Sequence, residues 1–253
     1  MIIASWNIRG FNLPLKHQAM QNFLRSKEVI VMAILETKLN YASVTEIMQR
    51  KFGDWNFIHN FSSHHAGIIL ILWNRAKVDL SVTESNAQLI HCAIHCKISG
   101  KRLQASFIYG LHSVVARRSL WVSLNKINAT MDFPWLLTGD FNTILSPSDR
   151  FNGAEPTSYE IQDFVDCYSE LGLGSMNSHG PIFTWTNGRV WSKLDRALYN
   201  QLWFNSFNNS ACEVMKFESI SDHTPLVVST DLAMPRGNSP FKFNNAIVDH
   251  TEF

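Results

Sequence analysis

Apolar residues along the chain gather in short blocks rather than in long amphipathic stretches. Eight blocks, at residues 2–8, 29–36, 67–73, 89–98, 103–109, 135–140, 194–198 and 225–230, are rich in β-branched residues and bounded by polar or turn-forming positions. This pattern predicts buried strands. Three further segments repeat apolar residues at helical spacing. They are Ala19, Met20, Phe23 and Leu24; Leu120, Leu124, Ile127 and Met131; and Ile161, Phe164, Val165, Tyr168 and Leu171. The Asn- and Phe-rich stretch at residues 204–207 reads as core and turn. Many strands with few helices between them predict sheets packed on each other and covered by helices. Neither an internal repeat nor a low-complexity segment interrupts the pattern.

The pattern changes near the end. Met234-Pro235-Arg236-Gly237-Asn238-Ser239-Pro240 has linker composition. Residues 1–232 are therefore expected to form one domain, and 233–253 a linker and the start of a truncated downstream region. At 253 residues and 45% apolar content, the chain has enough material for one substantial core. Its 22 basic and 21 acidic residues leave a formal charge of +1, which is neutral on partners. A local basic rim binds phosphates without any net charge.

Cysteine usage and hydropathy narrow the setting. Cys92, Cys96, Cys167 and Cys212 are few and irregularly spaced, as free thiols in a reducing compartment are. The run His91-Cys92-Ala93-Ile94-His95-Cys96 invites a zinc reading. In a strand, however, Cys92, Ile94 and Cys96 share one face and His91 and His95 the other, so the four ligands do not converge. The cysteines read instead as small buried hydrophobes. The apolar runs are far shorter than a bilayer span, and the first residues lack the form of a signal peptide. A monomeric protein, nuclear or cytoplasmic and without a membrane partner, is expected.

Candidate chemistry sits at the carboxyl ends of the predicted strands. Asn7 closes the first and Glu36 the second; Asp140 and Asn142 follow residues 135–138; Asp195 and Asp222-His223 lie beside the last two. Each alone reads as a turn former or cap. Together, strand ends in a layered fold can bring distant side chains to one cleft. In Gly139-Asp140-Phe141-Asn142, alternation puts Asp140 and Asn142 on one side and Phe141 in the core. Asp140 can accept a proton from water, and Asn142 can hold that water. Glu36 suits Mg²⁺, which takes one or two carboxylates plus waters and phosphate oxygens. His223, charged beside a carboxylate such as Asp195, can stabilise a pentacoordinate phosphorus. These parts suffice for in-line attack of water on a phosphodiester.

Five short motifs in order carry a family resemblance. Ser5-Trp6-Asn7-Ile8-Arg9-Gly10, Leu35-Glu36-Thr37-Lys38, Gly139-Asp140-Phe141-Asn142, Lys193-Leu194-Asp195-Arg196 and Ser221-Asp222-His223 resemble the endonuclease/exonuclease/phosphatase (DNase I-like) superfamily. The resemblance implies a four-layered α/β sandwich, two mixed sheets face to face with helices outside. It implies Glu36 as metal ligand with Asn7 beside it, and Asp222 as a second metal or orienting group. It implies Asp140 as the residue that activates water, Asn142 as the one that orients it, Asp195 and His223 as a carboxylate–histidine pair, and Tyr109 near the scissile phosphate. Mg²⁺ is the implied cofactor, with Mn²⁺ as substitute. Ile108-Tyr109-Gly110 with Arg117-Arg118-Ser119-Leu120-Trp121, Gly180-Pro181-Ile182-Phe183-Thr184-Trp185-Thr186-Asn187, and Leu194-Asp195-Arg196-Ala197-Leu198 resemble the endonuclease domain of plant LINE-type non-LTR retrotransposons. Pro240-Phe241-Lys242-Phe243-Asn244 resembles the segment that leads toward their reverse transcriptase, a domain absent here. The implied partner is DNA, nicked to leave a 3′-hydroxyl.

Departures qualify the resemblance. Arg9 stands where abasic-site endonucleases carry an acid, which argues against dedicated repair. His112 replaces a frequent Asn, and Ala66-Gly67 a Gly-Gly pair. Arg9, His112, Trp185 and Arg196 are candidate DNA contacts. Trp185 reads equally as a rim aromatic packed on the core, and Arg196 as the partner of an acid. Arg117 and Arg118 read as a solvated helix start, with phosphate contact as the alternative. Two other functions compete: a phosphatase or lipid phosphodiesterase of the superfamily, and a non-catalytic retroelement remnant.

Overall fold

A computed structural model describes residues 1–62 and 68–231. Ala66-Gly67 and the expected linker and tail at 233–253 lie outside the described residues. Two large sheets face each other. The seven-stranded sheet runs, in spatial order, Ser178–His179, Ala211–Val214, Leu226–Ser229, Ile2–Asn7, Val31–Leu35, Ile69–Asn74 and Trp55–His59. The six-stranded sheet runs Gly174–Ser175, Asp195–Tyr199, Trp135–Asp140, Arg102–Tyr109, Leu89–Cys96 and Val78–Ser85. Both mix parallel and antiparallel pairs. A small third sheet joins Trp185–Thr186, Trp191–Ser192 and Arg150–Phe151.

Strand alternation explains the layers. Val31, Ala33 and Leu35 point into the core between the sheets, where they meet Ile90, Cys92, Ile94, Ala105 and Phe107. Their neighbours Met32 and Ile34 point outward, onto Met20, Phe23 and Leu24 of helix Pro14–Ser26 and Val44 and Met48 of helix Tyr41–Lys51. On the other side, Ile108, Trp135 and Leu137 pack on Leu120 and Leu124 of helix Val114–Asn128 and Phe164 of helix Ser158–Glu170. The architecture is the expected α/β sandwich.

The eight predicted strands are all present, with shifted ends. Among the described residues, eight further strands, five of them only two residues long, and two α-helices fall outside that reading. Val78–Ser85 is an edge strand of half-exposed, mostly polar residues, so it lacks the apolar density that marks a buried strand. Residues 204–207 are not simple core and turn: helix Gln201–Ser206 starts on Asn200, whose side chain accepts the Trp203 N–H at 3.0 Å. Trp203 and Phe207 are buried and Phe204 is exposed. Met131 falls past the end of its helix but still packs against the same cluster. All four cysteines are free and buried, Cys92 and Cys96 between the sheets. His91 hydrogen-bonds Ser106 and Gln104 instead of joining them. No helix among the described residues is long and apolar enough to cross a membrane.

Candidate active site

The same alternation that builds the core delivers the polar cluster. Ile3, Ser5 and Asn7 line the inner face of one sheet, and Leu136, Thr138 and Asp140 the inner face of the other. Halfway along, the Ser5 and Thr138 hydroxyls bond at 2.9 Å. At the end, Asn7 Nδ2 donates to Asp140 Oδ2 at 2.9 Å. Tyr109 and Asp195 flank Asp140 directly, in register on the parallel and antiparallel neighbours. Gly139 makes that closeness available: at φ +137° a side chain there would be strained, and a Cβ would collide with the Ile108 carbonyl.

Two buried carboxylates opposite one another repel, and a histidine offsets this. His223 Nδ1 donates to Asp195 Oδ2 at 2.8 Å, while its Nε2 lies 3.7 Å from Asp140 Oδ2 and 3.4 Å from Asn7 Nδ2. All four groups are buried. Burial pulls the His223 pKa down, but Asp195 and Asp140 outweigh it and raise the net value, which favours imidazolium. Burial lifts the Asp140 carboxyl above the usual range; His223 opposes that rise and Asp195 adds to it. Thr184 fixes Asp195 by accepting its backbone N–H at 2.9 Å. Ser221 donates to the Asn7 carbonyl and accepts the His223 N–H, tying two strand ends together. Thr184 and Ser221 lie inside quoted motifs, yet nothing in their residue type distinguished them.

The mouth of the site is built differently. Glu36 accepts Asn7 Nδ2 at 3.3 Å and Lys38 Nζ at 2.9 Å. Asp222 Oδ2 accepts Arg9 Nη1, and Trp185 Nε1 at 3.1 Å. Its Oδ1 is buried with no hydrogen-bond partner. Arg9, Glu36 and Lys38 all take left-handed backbone, at φ +48°, +52° and +53°. Such conformations cost of order 1–3 kcal/mol and cluster at functional sites. Lys16 anchors the first loop by donating to the carbonyls of Ile8 and Arg9.

The other predicted residues divide. Asn142 and His112 line the cleft with Asn7, Arg9, Glu36, Asp140, Trp185, Asp222 and His223. Asn142 reaches it through a turn at φ +53° rather than by strand alternation, and its side chain donates to the Gly110 carbonyl at 2.9 Å. Tyr109 lies beneath the surface, 4% exposed, with its hydroxyl 3.4 Å from His112 Nε2. Burial first, then Glu36 and Asp140, raise its pKa, so it stays a neutral phenol. Arg196 does not line the cleft. It is buried, pairs with Asp149 and lies over the Phe164 ring, so the acid-pairing reading holds. Arg117 is buried too, and donates to the Leu111 and His112 carbonyls; Arg118 pairs with Asp163 on the facing helix. Neither is a simply solvated helix start. Arg150, which the sequence did not single out, joins the lining.

The result is an open cleft of about 450 Å³ with a polar floor. One group of three potential metal ligands stands out among the described residues: Asp140, Asp195 and His223, with ligand atoms within 4.8 Å of one another. By spacing alone that trio could hold a metal ion, and it is not the expected pair of Glu36 and Asp222.

The fold recurs in solved structures of different activity. A 3′ phosphatase from Neisseria, bound to product DNA hairpin, superposes with a TM-score of 0.69 at 17% identity, over 92% of this chain and 100% of that one. The endonuclease domain of TRAS1, a telomere-specific non-LTR retrotransposon, gives 0.67 at 14%, over 90% and 96%. A mannosyl-6-phosphatase from Bacteroides thetaiotaomicron gives 0.63 at 14%, over 90% and 98%. At such identities the likeness shows a shared fold alone. No curated protein matches the sequence. The sequence profile of the endonuclease/exonuclease/phosphatase family matches residues 4–223, a span that runs from the first strand to His223, and the chain belongs to that family.

Proposed function

We propose that the chain is a Mg²⁺-dependent endonuclease that hydrolyses DNA phosphodiester bonds. In this reading it is the target-nicking domain of a LINE-type retroelement similar to those of plants, which acts beside a reverse transcriptase in full-length relatives. One observation carries the chemistry: a buried carboxylate, Asp140, is held by Asn7 beside the His223–Asp195 pair, on the floor of an open cleft.

The donor set fits a hard cation. Glu36 and Asp222 offer carboxylate oxygens at the mouth, and the Asp222 Oδ1 has no protein partner. They would hold Mg²⁺, with Mn²⁺ as substitute. The inner trio is a poorer ligand set, because His223 Nδ1 already donates to Asp195 and an imidazolium has no free lone pair. Held by Glu36 and Asp222, the ion would supply positive charge to the phosphoryl and leaving oxygens.

The protein's own groups do the rest. Asp140, with its pKa raised toward neutrality, takes a proton from the attacking water. Asn142, whose backbone N–H donates to Asp140 Oδ1 at 2.8 Å, lines the same cleft and orients that water. Asn7 holds Asp140 in place, so the base does not swing toward His223. The cationic His223 presents Nε2–H to charge that develops on the phosphorus oxygens, and Asp195 keeps the ring in its tautomer. Attack and departure occur in one step without a covalent intermediate.

The test is nicking of supercoiled plasmid with Mg²⁺ or EDTA, alongside Asp140→Ala and a lipid phosphodiester. Metal-dependent nicking that disappears in Asp140→Ala supports the endonuclease. Lipid turnover without DNA cleavage would favour a phosphodiesterase of the same family, and inactivity on both, from folded protein, a remnant.

A further inference from the structure

Both mouth carboxylates already carry a cation. Lys38 lies on Glu36, and Arg9 on Asp222. Neither cation is fixed by burial: the Lys38 and Arg9 side chains are 51% and 59% exposed, against 17% and 18% for their acids. The acids are fixed, the bases free to leave. The backbone supports this asymmetry. The first loop is pinned by Lys16 and by Gly10 N–H on the Glu36 carbonyl, and Asp222 is held by Trp185. Asp222 thus keeps its place when Arg9 departs, and its Oδ1 is buried with no hydrogen-bond partner.

We infer that Arg9 is a resident counter-ion that a divalent cation must displace from Asp222, and that the freed guanidinium then takes a substrate phosphate. This rests on the metal reading above and deepens it. Cation and phosphodiester then reinforce each other. Metal binding releases the Arg9 fork for bidentate phosphate contact, and a phosphate that draws Arg9 away leaves Asp222 open to metal. By linkage the two effects are equal in size. Arg suits the exchange because its planar fork fits carboxylate and phosphate alike. The displacement cost is that of a solvent-exposed ion pair, so the handicap to metal affinity is about fivefold.

The experiment is Mn²⁺ binding to the full chain without DNA, read from the electron paramagnetic resonance of free Mn²⁺. Arg9→Gln, which keeps length and removes charge, is expected to bind Mn²⁺ about fivefold more tightly than wild type. Arg9→Lys should fall near wild type. Circular dichroism and the melting temperature establish that each variant is folded; since the Arg9 side chain is exposed, both should match wild type. Equal or weaker Mn²⁺ binding by folded Arg9→Gln would overturn the inference while leaving the metal site standing. Absence of Mn²⁺ binding in wild type and variant alike would overturn it together with the metal reading. Tighter binding in a protein that nicks no DNA would support the exchange and reject the endonuclease.

Discussion

The floor of the cleft and its mouth solve the same electrostatic problem in opposite ways. On the floor, Asp140 and Asp195 are compensated by one buried histidine, and Asn7 fills the remaining gap. At the mouth, Glu36 and Asp222 are compensated by long, half-solvated cations. A buried charge cannot lose its partner without a desolvation penalty of several kcal/mol, so the floor is locked. An exposed pair is worth at most about 1 kcal/mol, so the mouth is exchangeable. In the proposed reaction, the difference separates what stays in place during catalysis from what gives way to ligand.

The sharpest way to break this contrast is to alter the floor. Asp140→Asn preserves shape but leaves one oxygen for the Asn7 and Asn142 donors, and it removes the proposed base. Nicking should fall by roughly 10²- to 10⁴-fold with little change in KM. A loss under tenfold would mean that water is activated elsewhere. Next comes a buried pair that serves structure alone. Arg196→Met strips Asp149 of its partner beneath the cleft, and breaking such a pair should cost roughly 3 kcal/mol in urea unfolding. The cleft lining is untouched, so activity per folded molecule should hold; a large drop in kcat would restore Arg196 as a substrate contact. Smaller still is Trp185→Phe, which deletes the indole donor to Asp222 but keeps the aromatic rim. A hydrogen bond to a charged group is worth about 1.5–3 kcal/mol, and Trp185 is what holds Asp222 once Arg9 has left, so Mn²⁺ affinity should fall by roughly tenfold.

What was legible in the sequence follows the same division. The strands that carry the floor are continuous apolar runs, and their polar ends stand out against that background, so Asn7, Asp140 and Asp195 could be read directly. Their register could not. That Asp195 faces Asp140 across an antiparallel pair is set by long-range pairing, which leaves no local signature. The edge strand Val78–Ser85 was missed because its apolar residues are sparse. Helix Tyr41–Lys51 went unread although Val44, Ile47 and Met48 recur at helical spacing and its cap, Asn40, accepts the Ser43 N–H at 2.8 Å. Arg196 shows the limit most clearly. A basic residue beside a candidate catalytic acid looks like a ligand contact, but in a strand consecutive side chains point to opposite faces, and Asp195 already occupied the inner one. The cations of the mouth were hidden for a different reason. Arg9 and Lys38 reach their acids from left-handed backbone that favours no particular residue pair in sequence.

Lys38 gives the smallest and most discriminating of these perturbations. Its pair with Glu36 is exposed, so Lys38→Ala should leave global stability within about 0.5 kcal/mol of wild type. If Lys38 did nothing but neutralise Glu36, its removal would tighten metal binding and leave DNA affinity alone. A side chain freed by metal should instead contribute one phosphate contact. Lys38→Ala would then weaken DNA binding in the presence of metal a fewfold and flatten the dependence of log affinity on log salt by a slope of about 0.9. The decisive comparison is that slope measured with and without Mn²⁺ in the Asp140→Asn background, where DNA survives. A change confined to the metal-loaded protein identifies a cation that has moved from acid to phosphate. An equal change in both states means that Lys38 reaches the DNA without leaving Glu36, and the mouth would then be as fixed as the floor.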